Sequence, residues 1–265
     1  MTISSTITTL LGVLMTVSFM LGLIVMTVWK IAKHGEFKPF FGGAFVYLLF
    51  STCIKGLCDL LLLRFFSGNA WAYGLYNVVF LVAAETVGRY MGFHVLHKER
   101  NDRRDGISFG LGFGTAEAIL SMGLTALMYF SYALAIMDGS VSEMLATLSE
   151  ADRAELNEML ALVSGLTVGD CVWALVERAV RLVLQVSLSM LVFAALRTTA
   201  KNLLAISSGL ELVALLPLGL YQSGIAIPHI VAQIVLMLGT ACAAVLAWRA
   251  YHTMPDLEPV TGRRL

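Results

Sequence analysis

Seven long, mostly apolar runs, near residues 8–30, 40–64, 71–97, 106–136, 168–196, 202–221 and 226–248, leave this chain few ways to fold. A bilayer core of about 30 Å takes roughly 20 residues per helical crossing, which each run supplies. In lipid every backbone N–H and C=O must find its partner inside the segment, so runs of this kind are helices. Charged residues make up only 14% of the chain against 58% apolar, where soluble domains carry about a quarter charged. The expected fold class is therefore all-α, a polytopic transmembrane bundle of about seven helices forming a single transmembrane domain over residues 1–265. Its location is the cell membrane, with the lipid bilayer as its main partner.

Charge in the loops gives an orientation. Lys30, Lys33 and Lys38, then Lys98, Arg100, Arg103 and Arg104, then Arg197 and Lys201, then Arg249, Arg263 and Arg264 fall on one side, against Arg64 and Arg153 on the other. By the positive-inside rule the first side is cytoplasmic, which puts the N-terminus outside and the C-terminus inside. No Lys or Arg precedes the first apolar run and no small-residue cleavage site follows it, so it reads as a permanent helix. The external loop over residues 137–167 is acidic, and in it Ser149 stands three residues before Asp152 and ahead of Leu156, Met159, Leu160 and Val163. That pattern predicts a capped amphipathic helix, resting on the membrane edge or closing over an outward-facing cavity.

A formal net charge of zero gives no basic field for nucleic acid. Cys53, Cys58, Cys171 and Cys242 sit in apolar stretches without metal-ligand spacing and read as buried small hydrophobes.

The chemistry is in charges that lipid would not tolerate. Lys55, Asp59, Glu85, Arg89, Glu117, Glu177, Arg178, Arg181 and Glu211 fall inside the runs, and each costs about 2.5–3.5 kcal/mol at a helix centre. They must face inward and pair. Lys55 with Asp59, Glu85 with Arg89, and Glu177 with Arg181 are four residues apart and share helix faces, while Arg178, Glu117 and Glu211 need partners on other helices. Counted from the basic ends, Glu85, Glu117, Gln185 and Glu211 lie at one level, about 15 Å deep. Asp170, Glu177, Arg181, Gln185 and Ser189 extend this polarity as a stripe along the fifth run, the expected lining of a wet or ligand-filled cavity. Gly106, Gly110, Gly114 and Ala118 form a small-residue face that lets a neighbouring helix approach and fixes Glu117 beside it. An ion-paired scaffold that only sets helix register is the bland alternative.

Glu85-Thr86-Val87-Gly88-Arg89-Tyr90, Gly110-Leu111-Gly112-Phe113-Gly114-Thr115-Ala116-Glu117, Glu177-Arg178 and the stretch from Gln185 to Ser189 resemble, in order and separation, the YhfC-type family of intramembrane proteases. That family is related to the CAAX-processing and PrsW-like membrane proteases. The resemblance covers about residues 75–217. It implies a Glu-Glu-x-Gly-Arg motif, a Gly-His-Gly-x-x-Glu motif and later His-bearing helices, the first glutamate activating water and the histidines binding metal or stabilising an oxyanion. Carried over, Glu85 and Glu117 are the catalytic candidates, and Arg89 the motif arginine. The chain departs at Thr86, where the second glutamate is usual, at Phe113 and Gln185, where histidines are expected, and near Ser207 to Glu211, where no histidine stands. The histidines present, His34, His94, His97, His229 and His252, lie away from the polar level.

Hydrolysis in a bilayer needs an activated water and donors for the developing oxyanion, and here carboxylates remain without imidazoles. A carboxylate paired to arginine is also a poor base. The expected function is thus a protease-like membrane protein, divergent or inactive as a protease. A polar ligand or membrane peptide would be bound by Arg89, Phe113, Glu177, Arg178, Arg181, Gln185, Ser189 and Glu211. No metal ligands are assigned, and a zinc site of soft ligands is not expected. The alternatives are a small-molecule transporter or the membrane subunit of one, and an active glutamic-type protease working through Glu85 and Glu117.

Overall fold

The computed structural model describes residues 2–33, 35–66, 68–96, 102–146, 148–198 and 200–254. His34, His97, Lys98, Arg100, Arg263 and Arg264, named above, lie outside the described residues. Within them every regular element is helical. Seven helices are long and apolar enough to cross a membrane: α1 (Ser5–Lys33), α2 (Phe37–Phe65), α3 (Ala70–Val95), α4 (Arg103–Asp138), α7 (Val168–Arg197), α8 (Asn202–Gln222) and α9 (His229–Thr253). Two shorter helices, α5 (Val141–Ala146) and α6 (Glu150–Ser164), stand between α4 and α7. The chain is a multi-pass integral membrane protein.

Local chemistry explains the ends. Asn69 starts α3 by accepting hydrogen bonds from the backbone N–H groups of Trp71 and Ala72, a side-chain cap for donors that have no partner inside the helix. Ser149 caps α6 by accepting from the Asp152 N–H, and the hydroxyl in turn donates to the Asp152 carboxylate at 2.6 Å. Gly139 closes α4 with φ of 79°, in the left-handed region that side chains avoid. Leu48–Ile54 in α2, Gly92–Leu96 at the end of α3 and Ala118–Gly123 in α4 are π-helical, the kind of widened turn that recurs at functional sites.

The described chain packs as two compact units, the division falling within α1, α4 and α7. One holds the residues up to Leu21 with Ala118–Ala179, around a core of Leu11, Ala133, Val163 and Cys171. The other holds Gly22–Glu117 with the described residues from Val180 onward, and its core gathers Val78, Val82, Leu184, Leu188, Leu215, Leu218 and Leu236. Outside these cores large apolar side chains face outward, among them Leu60, Ile31, Trp248 and Phe65, as a surface solvated by lipid requires. This corrects the reading of the cysteines. Only Cys171 is buried, while Cys53 and Cys242 are exposed, because in a bilayer an apolar run can face lipid as readily as protein.

In the second unit α4 is held between α2 and α7 by its glycines. A methyl group at Gly110 would stand 2.7 Å from the Val186 Cα, so only glycine lets α4 and α7 come this close. Gly112 does the same against the Phe40 backbone of α2. The pattern buries α4 from Ser108 to Glu117 without a break and points Phe113 and Glu117 to fixed places.

Candidate functional site

Arg89 organises the polar level. Its side chain is fully buried, and it stands on α3 one turn beyond Glu85, so the two form an ion pair of 2.8 Å on one helix face. Glu211 of α8 meets the guanidinium with both carboxylate oxygens, Oε2 accepting from Nη1 and Oε1 from Nη2, each at 2.8 Å. This is the two-bond geometry that gives arginine its strongest carboxylate contacts. Gln185 of α7 closes the ring: its Oε1 accepts from Arg89 Nη2, and its Nε2 donates to Glu85 Oε2 at 3.1 Å. From α4 the Phe113 ring lies against the guanidinium, 4.5 Å from ring centre to Cζ, and is held edge-on by Tyr47 at 5.1 Å. Three helices thus supply polar partners and a fourth supplies an aromatic face, all within the second unit.

A second ion pair accompanies this ring. Arg181 of α7 is bonded to Glu117 of α4, its Nε donating to Oε1 at 2.5 Å. Glu117 is almost wholly buried, while the Arg181 side chain keeps 14% of its surface open. The close packing of α4 against α7 brings Glu117, expected to find a partner on another helix, to Arg181. Glu177 and Arg178 stand earlier on α7, in the other unit, are both buried and have interactions of their own. Ser189 is buried against Gly110 and takes no part in the Arg89 ring. Of the sequence-derived site residues, the structure therefore brings together Glu85, Arg89, Phe113, Gln185 and Glu211 in one cluster, and Glu117 with Arg181 in another.

Arg181 has a second surroundings. It lines a cavity of about 320 Å³ that occupies the end of α3 and α8 away from Arg103 and Lys201. Three lining residues, Leu81, Arg181 and Leu215, stand four positions from Glu85, Gln185 and Glu211, one helical turn or about 6 Å along each helix. The cavity and the Arg89 ring therefore share the same faces of α3, α7 and α8. Val78 and Leu218 make the wall apolar; Tyr73, Asn77, Gln222 and Ser223 line it nearer the helix ends. Lys55 enters from α2, its Nζ donating to Asp59 at 2.6 Å and to Asn77 Oδ1 at 3.3 Å, with Tyr76 donating to the other Asp59 oxygen at 2.9 Å.

Sequence reasoning had flagged Lys55 and Asp59 as buried charges without assigning them to the site, and it missed Tyr73, Asn77, Gln222 and Ser223. One signal could have found two of them. Tyr73, Asn77, Leu81, Glu85 and Arg89 recur every four residues, so the α3 face that carries the ion pair continues into the cavity.

The donor set does not suit a metal ion. At the polar level two carboxylates and an amide already surround a guanidinium, which fills the space a cation would take. Among the described residues no three His, Cys, Asp and Glu side chains are grouped to hold a metal. The described histidines are near helix ends and lie against aromatic rings, His94 stacked on Tyr90, His229 stacked on Tyr221 and His252 tilted against Trp248. Thr86, at the position of the family's second glutamate, instead shares a 3.1 Å hydrogen bond with Ser208.

Comparison with known proteins agrees with the motifs. The curated relative, an uncharacterized membrane protein, YhfC, of Bacillus subtilis (strain 168), is 30% identical over 211 residues, which cover 76% of this chain and 80% of the relative. No solved structure matches. The model of the YhfC intramembrane metalloprotease family matches residues 17–236, so motif order, seven-helix architecture and sequence likeness agree: this chain belongs to that family.

Proposed function

We propose that this chain is a protease-like member of its family that binds a polar or amphipathic ligand within the membrane and has diverged from metal-dependent hydrolysis. The observation that carries the reading is the cavity beside Arg181, one turn from a polar level whose guanidinium is already met by two carboxylates and an amide. A base for hydrolysis must reach a water. Glu85 is fully buried, and the oxygen that bonds Arg89 and Gln185 is committed to both. Held in that ion pair inside the packed level, this oxygen is not placed to take a proton from an incoming water. Arg89 supplies the positive charge at this level, and Phe113 covers its face where a donor would be needed for an oxyanion. In the cavity, by contrast, side-chain donors line open space, the arrangement of a small-molecule site: an apolar pocket with a few convergent polar groups.

The basic loops support an outside N-terminus, and with it a cavity that opens to the external side.

Native mass spectrometry of the full-length protein released from mild detergent tests the reading. The expected result is a small molecule that stays bound to the wild type and is absent from Gln222→Trp, in which an indole fills the cavity mouth. A protein that carries nothing, yet cleaves a membrane peptide and stops on Glu85→Gln with folding intact, would overturn it in favour of hydrolysis.

A further inference from the structure

Resting on that ligand-binding reading, the geometry points to a particular class of ligand: an amphiphile whose head is an oxyanion, a phosphate or carboxylate on an alkyl chain, held by Lys55 and Arg181. Among the described residues no acid lines the cavity. Its polar lining is cationic or able to donate, and Asp59 and Glu117, which balance the two cations, stand outside it. Glu117 lies on the buried side of Arg181, and Asp59 holds Lys55 from its own helix, one turn on. Each ion pair thus presents its cation to the cavity. In a low-dielectric wall the nearer charge of a pair dominates the field at short range, so the cavity favours a negative head.

Asn77 strengthens the selection. Its Oδ1 already accepts from Lys55, which turns the amide N–H₂ of Asn77 to the donor role. Tyr73 and Gln222 add further groups able to donate. Val78, Leu81, Leu215 and Leu218 form an aliphatic strip along α3 and α8, suited to methylene groups. A volume of about 320 Å³ is at the small end of ligand sites. It takes one head and the adjoining part of a chain, with the rest of the chain left in lipid.

Titration of the full-length protein in a neutral maltoside, followed by native mass spectrometry, tests this with matched pairs. One pair is phosphatidic acid and diacylglycerol with the same chains; the other is myristate and methyl myristate. The expected result is that the charged member of one pair or both binds at least about tenfold more tightly, with the stronger pair telling phosphate from carboxylate. Lys55→Gln with Arg181→Gln should remove the preference, and Lys55→Arg with Arg181→Lys should keep it, which separates loss of charge from loss of fold. Gln222→Trp should weaken both members. Equal binding within each pair that Gln222→Trp still blocks overturns the oxyanion assignment and leaves the cavity a ligand site. No binding sensitive to Gln222→Trp overturns both.

Discussion

The Arg89 ring and the cavity beside Arg181 are built on the same faces of the same helices, one turn apart, yet they treat polarity in opposite ways. In the ring a fully buried guanidinium is met by Glu85, Glu211 and Gln185 and covered by Phe113. In the cavity two cations with partners of their own still present surface to open space. The difference teaches that charge inside an apolar run marks a place the protein has invested in, while packing decides whether that place is a joint or a site. A closed ring fixes how α3, α7 and α8 meet, and the cavity beside it inherits that rigidity.

The sharpest way to break the comparison is Arg89→Met. It leaves Glu85 and Glu211 buried without their cation, a change expected to cost about 3–5 kcal/mol, read as a fall in unfolding temperature in neutral detergent. A loss under about 1 kcal/mol, the scale of a surface pair, would mean that water reaches the ring and that it is not closed. Next comes Gly110→Val, which forces α4 from α7 against the Val186 backbone and should cost about 1–3 kcal/mol by overpacking. Arg181→Gln follows at about 1–3 kcal/mol, the cost of leaving a buried acceptor without its charged donor; it should also weaken ligand retention, because Arg181 both holds Glu117 and lines the cavity. Lys55→Met is expected to change stability by at most about 1 kcal/mol, since its pair with Asp59 is partly open. Its ligand should nonetheless be lost, and that separation of stability from binding is what distinguishes the cavity from the ring.

Much of this was legible in the sequence. All seven crossings follow from hydrophobic length, with ends within a few residues of those observed, because lipid leaves a backbone no other solution. Counting 1.5 Å per residue from the basic loops put Glu85, Glu117, Gln185 and Glu211 at a common depth; Glu85, Gln185 and Glu211 do converge on Arg89, while Glu117 bonds Arg181. Partners across helices were harder. That Arg181 bonds Glu117 on another helix depends on how closely the glycines of α4 let α7 approach, which spacing along one helix does not show. A cavity was expected along the α7 stripe, but of that stripe only Arg181 lines this one, and most of its polar lining was not legible. Tyr73, Asn77, Gln222 and Ser223 are ordinary residues near helix ends, and only the three-dimensional gap between α3 and α8 brings them together. The cysteines failed for a related reason: hydropathy reports transfer out of water and does not say whether lipid or protein receives the side chain.

The claim that most needs testing is that Arg89 provides the positive charge at the polar level, in a member of a family whose name describes a metalloprotease. Elemental analysis of the full-length protein, purified in neutral detergent without chelator and read together with its unfolding temperature before and after addition of chelator, addresses it directly. The account predicts a metal content far below one ion per chain and an unfolding temperature that chelator leaves unchanged. One transition-metal ion per chain, lost together with stability in Glu85→Gln or Glu211→Gln, would contradict it.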